Sequence, residues 1–231
     1  MEHNANFSQR AWSHDRDTTW LPSPMPGVSR RVLDRIGAEV ARATSVVRYA
    51  PGSSFSPHTH TGGEEFLVLD GVFSDEHGDF GPGSYIRNPP GSSHQPGSDP
   101  GCTILVKLWQ FDLDDRTTVR RVATDSFVSG VEAGVSAQAL HADDTESVRL
   151  ERWEAGAIID REVPAGLELF VLDGGFALES ERFDAHSWLR IPPADRFHAT
   201  VGEDGARVWL KTGHLRDARA RFEDAFVRAQ L

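Results

Sequence analysis

Short apolar runs separated by glycine and proline recur along this chain. The segments 66–69 and 103–109 are almost continuously apolar, as in buried strands. Charged and apolar residues alternate across 28–36 and 39–49, with a turn at Gly37, which is typical of half-buried strands. The chain has 21 glycines and 13 prolines spread among these runs. The pattern therefore predicts an all-β fold with many turns.

The second half of the chain repeats the pattern of the first half. Each of four segments in the first half has a counterpart with the same order of aromatic, charged, glycine and proline residues. The pairs are 48–52 with 152–156, 63–73 with 166–176, 84–90 with 187–193, and 104–107 with 208–211. Internal repetition of this kind predicts two tandem domains built on one plan.

The stretch 52–94 concentrates the residues that could bind a metal ion. His58 and His60 are two positions apart, so on a strand both imidazoles point to the same face. Glu64 follows a Gly-Gly turn and opens an apolar run, and His94 follows a Pro-Pro-Gly bend. We expect two hairpins to bring these four side chains into one pocket.

The residue types define the chemistry of the expected site. Imidazole and carboxylate together suit zinc, iron, manganese or nickel, and they do not suit calcium. Three nitrogen ligands and one oxygen ligand leave one or two coordination positions open, as a catalytic or sensing site requires. We therefore expect one divalent transition metal per chain, bound by His58, His60, Glu64 and His94.

The same stretch resembles the cupin superfamily. It matches both cupin motifs, Gly-x5-His-x-His-x3-Glu-x6-Gly at 52–71 and Gly-x5-Pro-x-Gly-x2-His at 83–94. The second motif normally ends in asparagine, where this chain has Ser98. The residues around the two motifs are similar to those of the ChrR-like cupins, especially across 48–52 and 101–110.

That resemblance implies a fold and two kinds of relative. The family is named for the cupin domain of the zinc-binding anti-sigma factor ChrR, and acetylacetone-cleaving dioxygenases are similar to it. The implied fold is two tandem double-stranded β-helix barrels, a bicupin, each of which can hold a metal at its wide mouth. The expected domain division is an N-terminal arm 1–27, a metal-binding cupin 28–115, a linker 116–140, a degenerate second cupin 141–214 and a C-terminal helix 215–231.

The two ends of the chain carry their own signals. Apolar residues recur every three or four positions in 215–231, which predicts a helix whose apolar stripe packs on a barrel, with a dimer helix as the alternative. The arm 1–27 is polar but contains Trp12 and Trp20. We expect this arm to dock on a barrel or a partner chain rather than to form a disordered tail.

The second half has lost most of the ligand set. Arg161-Glu162-Val163 stands where the two histidines should be, and Leu167 stands at the position of Glu64. His198 remains, one residue further from the prolines than His94, and we expect it to face Leu167 and Val163 in its own pocket. One imidazole with apolar neighbours cannot hold a metal alone, so we expect the second pocket to be free of metal.

The composition of the chain limits the classes of partner that we expect. The net charge of −11 argues against nucleic acid or an anionic membrane as a partner. A single cysteine, Cys102, precludes an internal disulfide and favours a reducing, cytoplasmic location. No apolar run reaches the length of a membrane span. We expect a small-molecule ligand or substrate, and a homodimer is compatible because cupins are commonly dimers.

Two functions stay open from the sequence. The first is a metal-dependent, oxygenase-like enzyme that acts on a small carbonyl compound, with Tyr85, Arg87 and Trp109 expected on strands that line the pocket. Its catalytic residues beyond the metal ligands are unknown. The second is a zinc-binding sensor related to ChrR; we expect it to lack the helical sigma-binding domain with its own zinc ligands. A third hypothesis is a storage or scaffold barrel that binds a metal ion and catalyses no reaction.

Overall fold

The computed structural model describes residues 2–130 and 132–230. The chain forms two compact units. We call the first unit, Thr19–Thr124 with Met1–Ala5 and Arg219–Leu231, the first barrel. The second barrel consists of Asn6–Thr18 and Asp125–Ala218. The expected arm 1–27 is thus divided between the two units, and the expected linker 116–140 contributes strands to both.

Twenty-two strands and one α-helix lie within the described residues. The strands up to residue 98 are β1 (Ala11–Ser13), β2 (Leu21–Pro22), β3 (Val28–Gly37), β4 (Ala41–Tyr49), β5 (Ser53–Ser54), β6 (His58–Thr59), β7 (Glu64–Gly71), β8 (Phe73–Asp75), β9 (Gly78–Phe80), β10 (Tyr85–Asn88), β11 (Ser93–His94) and β12 (Gly97–Ser98). The remaining elements are β13 (Cys102–Leu108), β14 (Val119–Arg121), β15 (Val128–Ser129), β16 (Val135–Ala142), β17 (Ser147–Trp153), β18 (Ile158–Val163), β19 (Leu167–Leu178), β20 (Glu181–Asp184), β21 (Trp188–Ile191), β22 (Asp195–Thr212) and α1 (Ala218–Arg228). The predicted all-β fold with a C-terminal helix is confirmed.

The first barrel is built from antiparallel sheets. Its main sheet has seven strands in the order β14-β10-β7-β13-β4-β3-β2. A two-stranded ladder of β6 and β11 and a four-stranded sheet β5-β12-β8-β9 complete it. Alternation along β7 turns Phe66 and Val68 into an apolar core with Tyr49, Phe73 and Ile86. Glu64 lies two residues before Phe66, so it shares this inner face.

The second barrel merges the same strands into one nine-stranded sheet. Its main path is β1-β21-β19-β22-β17-β16-β15, with β18 on β22 and β20 on β19. The 18-residue strand β22 pairs β18 through its first half and β17 through its second half, and it pairs β19 in both halves. Strand β1 pairs β21 just as β14 pairs β10 in the first barrel.

Strand pairing defines equivalent positions in the two barrels. Val28 lies opposite Tyr49, and Val135 lies opposite Trp153. Both outer strands then carry a β-bulge of one residue, at Leu33 in β3 and at Leu140 in β16. A bulge adds one residue to one strand and reverses its alternation beyond that point. The repeat seen in the sequence therefore extends to this irregularity of the backbone.

The helix α1 is shorter than the pattern predicted, since it begins at Ala218 and ends at Arg228. Phe222 and Phe226 on one face contact the ring of Trp109, at centroid distances of 6.2 Å each. The apolar stripe of the helix therefore packs against the first barrel. Within the described residues, no helix is both long and apolar enough to span a membrane.

Candidate metal centre

The three expected histidine ligands lie on or next to strands β6 and β11, which pair with each other. His94 in β11 lies directly opposite His58 in β6. The backbone N–H of His60 donates to the carbonyl of Ser92, and the N–H of Gly91 donates to the carbonyl of His60, each at 2.9 Å. Backbone pairing therefore holds the three imidazoles near one another.

The four predicted side chains converge inside the first barrel. Nitrogen atoms of His58, His60 and His94 lie within 4.8 Å of one another. The Glu64 carboxylate lies 3.4 Å from the His60 Nε2 and 3.5 Å from the His94 Nε2. Ligand bonds of about 2.0–2.2 Å to one ion would place neighbouring ligand atoms roughly 3–3.5 Å apart. The spacing around Glu64 fits such an ion.

The hydrogen-bonding state of the cluster also fits a metal. The Nε2 atoms of His60 and His94 are buried, and neither has a hydrogen-bond partner within the described part of the chain. A buried polar atom without a partner costs free energy, so native proteins leave few of them. Here both orphaned atoms face the same carboxylate, and a divalent transition metal bound there would satisfy them together.

Supporting groups orient the ligands, and no sequence motif indicates them. Asp75 accepts a hydrogen bond from the His94 Nδ1 at 3.2 Å, which leaves the Nε2 lone pair directed at the cluster. The carbonyl of Ser56 accepts from the His58 Nδ1 at 2.9 Å. Asn88, opposite Glu64 in the sheet, donates to its carboxylate at 3.3 Å. Strand register therefore places Asn88, a tertiary contact places Asp75, and the short distance along the chain to His58 places Ser56.

The electrostatic surroundings differ between the histidines. Burial lowers the pKa of His60, and neighbouring His94 and His58 lower it further against the attraction of Glu64. Burial also acts to lower the pKa of His94, but the hydrogen bond to Asp75 and the charges of Glu64 and Asp75 outweigh it and raise that pKa. Burial raises the pKa of Asp75, yet hydrogen bonds from His94 and from the N–H of His77 bring it below its usual value. Asp75 therefore stays ionised beside the cluster.

A cavity of about 350 Å³ adjoins the four side chains. Its walls are mostly apolar and include Val47, Phe55, Phe73 and Val106. Trp109 also lines it, as the sequence predicted. A volume of this size accepts a small organic molecule next to the cluster.

Trp109 reaches the cavity because Gly62 leaves space for it. A Cβ added at Gly62 would lie 2.1 Å from the indole ring. The Trp109 backbone has φ +58°, a conformation rare for a bulky residue, and its N–H donates to the carbonyl of Gly63 at 3.1 Å. Strain at this position is offset by the packing of the ring.

The prediction that Tyr85 and Arg87 line the pocket is wrong. Ile86, between them, belongs to the barrel core, so alternation turns both of its neighbours to the opposite face of the sheet. There the Tyr85 hydroxyl donates to Glu65, and Arg87 pairs with Asp115 and stacks on the ring of Phe111. Both side chains are buried structural groups outside the cavity.

The second barrel has no ligand at the four equivalent positions. Phe197 lies opposite Arg161 as His94 lies opposite His58, so the extra residue after the prolines moves His198 out of the ligand position. The His198 side chain is 62% exposed and lies 3.5 Å from Asp160. The expectation that His198 faces its own pocket is therefore wrong. The equivalents of His58, His60, Glu64 and His94 are Arg161, Val163, Leu167 and Phe197.

An ion-pair cluster occupies the interior of the second barrel instead. The Glu151 carboxylate, 2% exposed, lies 2.9 Å from the Arg161 Nη2 and 2.5 Å from the Arg149 Nε. The Trp153 indole N–H donates to it at 2.6 Å. Burial raises the pKa of Glu151, but the two arginines outweigh that effect and lower it. Aromatic rings of Trp153, Phe176 and Phe197 fill the adjoining space.

A second group of potential ligands lies elsewhere in the second barrel. Donor atoms of His141, Asp143 and Glu146 lie within 4.8 Å of one another. Asp143 is occupied by N–H groups of Thr145 and Glu146, and Glu146 pairs with the buried Lys211 at 2.9 Å. These carboxylates already have partners, in contrast to the orphaned nitrogens of the first barrel.

The chain resembles proteins of known structure across most of its length at low sequence identity. A dioxygenase candidate from Nostoc punctiforme PCC 73102 shares 15% identity, covers 88% of this chain and 82% of its own, and has a TM-score of 0.69. A candidate glyoxylate-induced protein from Pseudomonas aeruginosa shares 16% identity over 90% of this chain and 88% of its own, with a TM-score of 0.67. A mutant oxalate decarboxylase from Bacillus subtilis shares 15% identity over 88% of this chain and 76% of its own, with a TM-score of 0.59. At this identity the likeness establishes the fold.

The family assignment comes from the sequence. No curated protein matches the chain. The domain described as the ChrR cupin-like domain matches it twice, over residues 8–112 and 115–216. These matches confirm the predicted tandem of cupin barrels. The chain therefore belongs to the ChrR cupin-like family and carries two copies of its domain.

Proposed function

We propose that this protein is a metal-dependent, oxygenase-like enzyme that acts on a small carbonyl compound in the first barrel. His58, His60, Glu64 and His94 would hold one divalent transition metal ion. The observation that carries the proposal is the meeting of two orphaned, buried imidazole nitrogens and a carboxylate beside a cavity of about 350 Å³. A purely structural metal site would have no need of such a cavity.

The side chains of the first barrel would divide the work. A bound metal ion with open coordination positions supplies Lewis acidity and a place for the substrate oxygen. Asp75 and Asn88 orient His94 and Glu64 and so fix the direction of the ligand atoms. The apolar walls exclude water from the substrate, and Trp109 closes part of the cavity next to the ligand loop.

The proposal is tested by metal content and turnover in the same preparation. Protein purified from cells supplied with iron and zinc is analysed for metals, and oxygen consumption is followed with small β-dicarbonyl compounds. We expect one ion per chain and oxygen uptake by the iron form that is lost in His94→Ala. Zinc as the resident metal, with binding but no turnover, would favour the sensor. Two ions per chain would contradict the assignment to the first barrel alone.

A further inference from the structure

Two arginines of strand β3 line the cavity of the first barrel without a carboxylate partner. Arg30 and Arg35 are both half-buried in the cavity wall. The Arg30 Nε is buried without a hydrogen-bond partner, and the Arg35 guanidinium donates to the carbonyl of Ala38. Within the described residues neither arginine forms an ion pair. Glu39, which also lines the cavity, is exposed and pairs with neither of them.

The bulge at Leu33 is what brings the two arginines to one face. Residues five positions apart on a regular strand point to opposite faces. Arg30 lies opposite Val47, and beyond the bulge Arg35 lies opposite Ala43. Val47 and Ala43 both line the cavity, so both arginines sit beside cavity-lining residues. The backbone irregularity therefore places two positive charges in one compartment.

Arg35 lies in the same row of the sheet as the proposed ligand Glu64. The row runs from Glu64 to Leu108, from Leu108 to Ala43, and from Ala43 to Arg35. Three strand spacings separate the ends of the row, about 14 Å of backbone. Ala43, next to Arg35 in this row, has a small side chain and also lines the cavity. The proposed ligand Glu64 and Arg35 therefore line one cavity from opposite ends of this row.

The second barrel keeps the bulge but not the arginines. The equivalents of Arg30 and Arg35 are Ala137 and Ala142, on the two sides of the Leu140 bulge. The fold therefore does not require a guanidinium at either position. The arginines are absent from the barrel that also lacks all four ligands, which links them to the chemistry of the first barrel.

Electrostatics disfavours this arrangement unless an anion joins it. Burial lowers the pKa of Arg35, and the nearby positive charge of Arg30 lowers it further. Two like charges lining a largely apolar cavity repel each other, and a carboxylate between them would convert repulsion into two charge-assisted contacts.

We infer that the substrate of the first barrel carries a carboxylate, which Arg30 and Arg35 bind while the carbonyl end of the molecule faces the metal. The inference rests on the proposed function and specifies its substrate class: small 2-oxo or 3-oxo carboxylic acids rather than neutral dicarbonyl compounds. Arginine suits this role because its planar fork matches the geometry of a carboxylate.

A matched pair of probes tests the inference. 3-Oxobutanoate and pentane-2,4-dione are close in shape and both offer a ketone oxygen to the metal, but only the first carries a carboxylate. Dissociation constants for both are measured by calorimetry on metal-loaded protein. We expect wild type to bind 3-oxobutanoate at least tenfold more tightly than the dione, as a charged hydrogen bond would allow.

Variants separate the arginines from the metal. Arg30→Ala and Arg35→Ala introduce the residue found in the second barrel. Each should raise the dissociation constant of 3-oxobutanoate tenfold or more and leave that of the dione unchanged. Arg30→Lys should retain part of the affinity because it keeps the charge. Arg31→Gln is the matched control, since Arg31 is the neighbour of Arg30 on the same strand and its guanidinium lies over the ring of Trp20. It should leave both constants unchanged.

The outcomes distinguish this inference from the proposed function. Metal-loaded wild type that binds both probes equally, or does not bind 3-oxobutanoate, overturns the carboxylate assignment and leaves the metal site intact. Equal loss of both probes in the arginine variants, with full metal content and unchanged thermal unfolding, also overturns it. Wild type that takes up no metal overturns the proposed function and with it this inference.

Discussion

The two barrels share a backbone plan and fill it with different chemistry. Where the first barrel has His58 and Val47, the second has Arg161 and Glu151, which form a buried ion pair. His94 of the first barrel is replaced by Phe197, whose ring packs on Trp153. One interior is kept open beside a polar cluster, and the other is closed by aromatic rings and paired charges.

A smaller exchange shows the same contrast at the rim. The first barrel has Gly62 and Trp109, and the equivalent positions of the second barrel are Ala165 and Gly213. In the first barrel the tryptophan is kept in a left-handed conformation with φ +58°, and in the second barrel a glycine takes that conformation, with φ +92°. Glycine adopts it at little steric cost, whereas tryptophan does not. The first barrel therefore tolerates an unfavourable backbone conformation at the residue whose ring lines its cavity.

The largest effect is expected in the second barrel. Glu151→Ala leaves Arg161 and Arg149 without their shared buried carboxylate, which should cost about 3–5 kcal/mol of the free energy of unfolding. Chemical denaturation measures it, with the exposed Glu203→Ala as control. A loss below 1 kcal/mol would mean that the cluster is incidental to the closed interior.

The same carboxylate predicts acid sensitivity. The folded pKa of Glu151 is depressed, since the arginines outweigh its burial. Its contribution to stability is therefore fully present above the ordinary glutamate pKa of about 4.3 and is lost as the pH falls through the lower folded value. Wild type should lose more of its free energy of unfolding than Glu151→Gln when denaturation is repeated at decreasing pH below about 4.3. Parallel pH profiles for the two proteins would contradict this.

The next effect concerns metal binding. His94→Ala removes a proposed ligand and should lower metal affinity more than about 100-fold, beyond the range typical of outer-shell losses. Wild type should lose thermal stability when a chelator is added, and His94→Ala should barely respond. His198→Ala, exposed in the other barrel, should keep its metal and change stability by less than about 0.5 kcal/mol. The reverse pattern would assign the working site to the second barrel.

Gly62→Ala copies the rim of the second barrel into the first. The added methyl meets the indole ring of Trp109, so overpacking should cost about 1–3 kcal/mol and displace the ring. Metal content should be unchanged because the ligand side chains are not touched. Tryptophan fluorescence with and without a small cavity ligand monitors the ring; an unchanged spectrum and stability would show that the rim tolerates the methyl.

The smallest effect is expected from the support of His94. Asp75→Asn keeps the size of the side chain but removes its charge, which should reduce metal affinity about tenfold. Competition with a chromogenic chelator measures the constant. Asp79→Asn, an exposed carboxylate on the neighbouring strand, is the control and should not alter it. Equal metal dissociation constants for Asp75→Asn and wild type would show that Asp75 does not support metal binding.

Local sequence patterns were sufficient to predict the fold, whereas the placement of individual side chains depends on the pairing of distant strands. The fold class, the tandem repeat and the convergence of the four predicted side chains follow from short motifs whose geometry is set within a hairpin. The prediction that His198 faces its pocket was wrong because it rested on the distance from the prolines. Strand pairing sets the inward position, and it places Phe197 there. Arg30 and Arg35 could not be recognised, since their odd spacing indicates opposite faces until the bulge is seen.

The bulge at Leu33 makes the first barrel tolerant of one particular change in chain length. Loss of the single codon for residue 33 would remove the residue that has no partner in β4 and leave Arg30 and Arg35 four positions apart on a regular strand. Asp34 could still lie opposite Thr44 and Arg35 opposite Ala43, so both guanidinium groups would still face the cavity. Loss of one triplet from a regular part of β3 would instead shift the pairing and turn the residues beyond it to the opposite face.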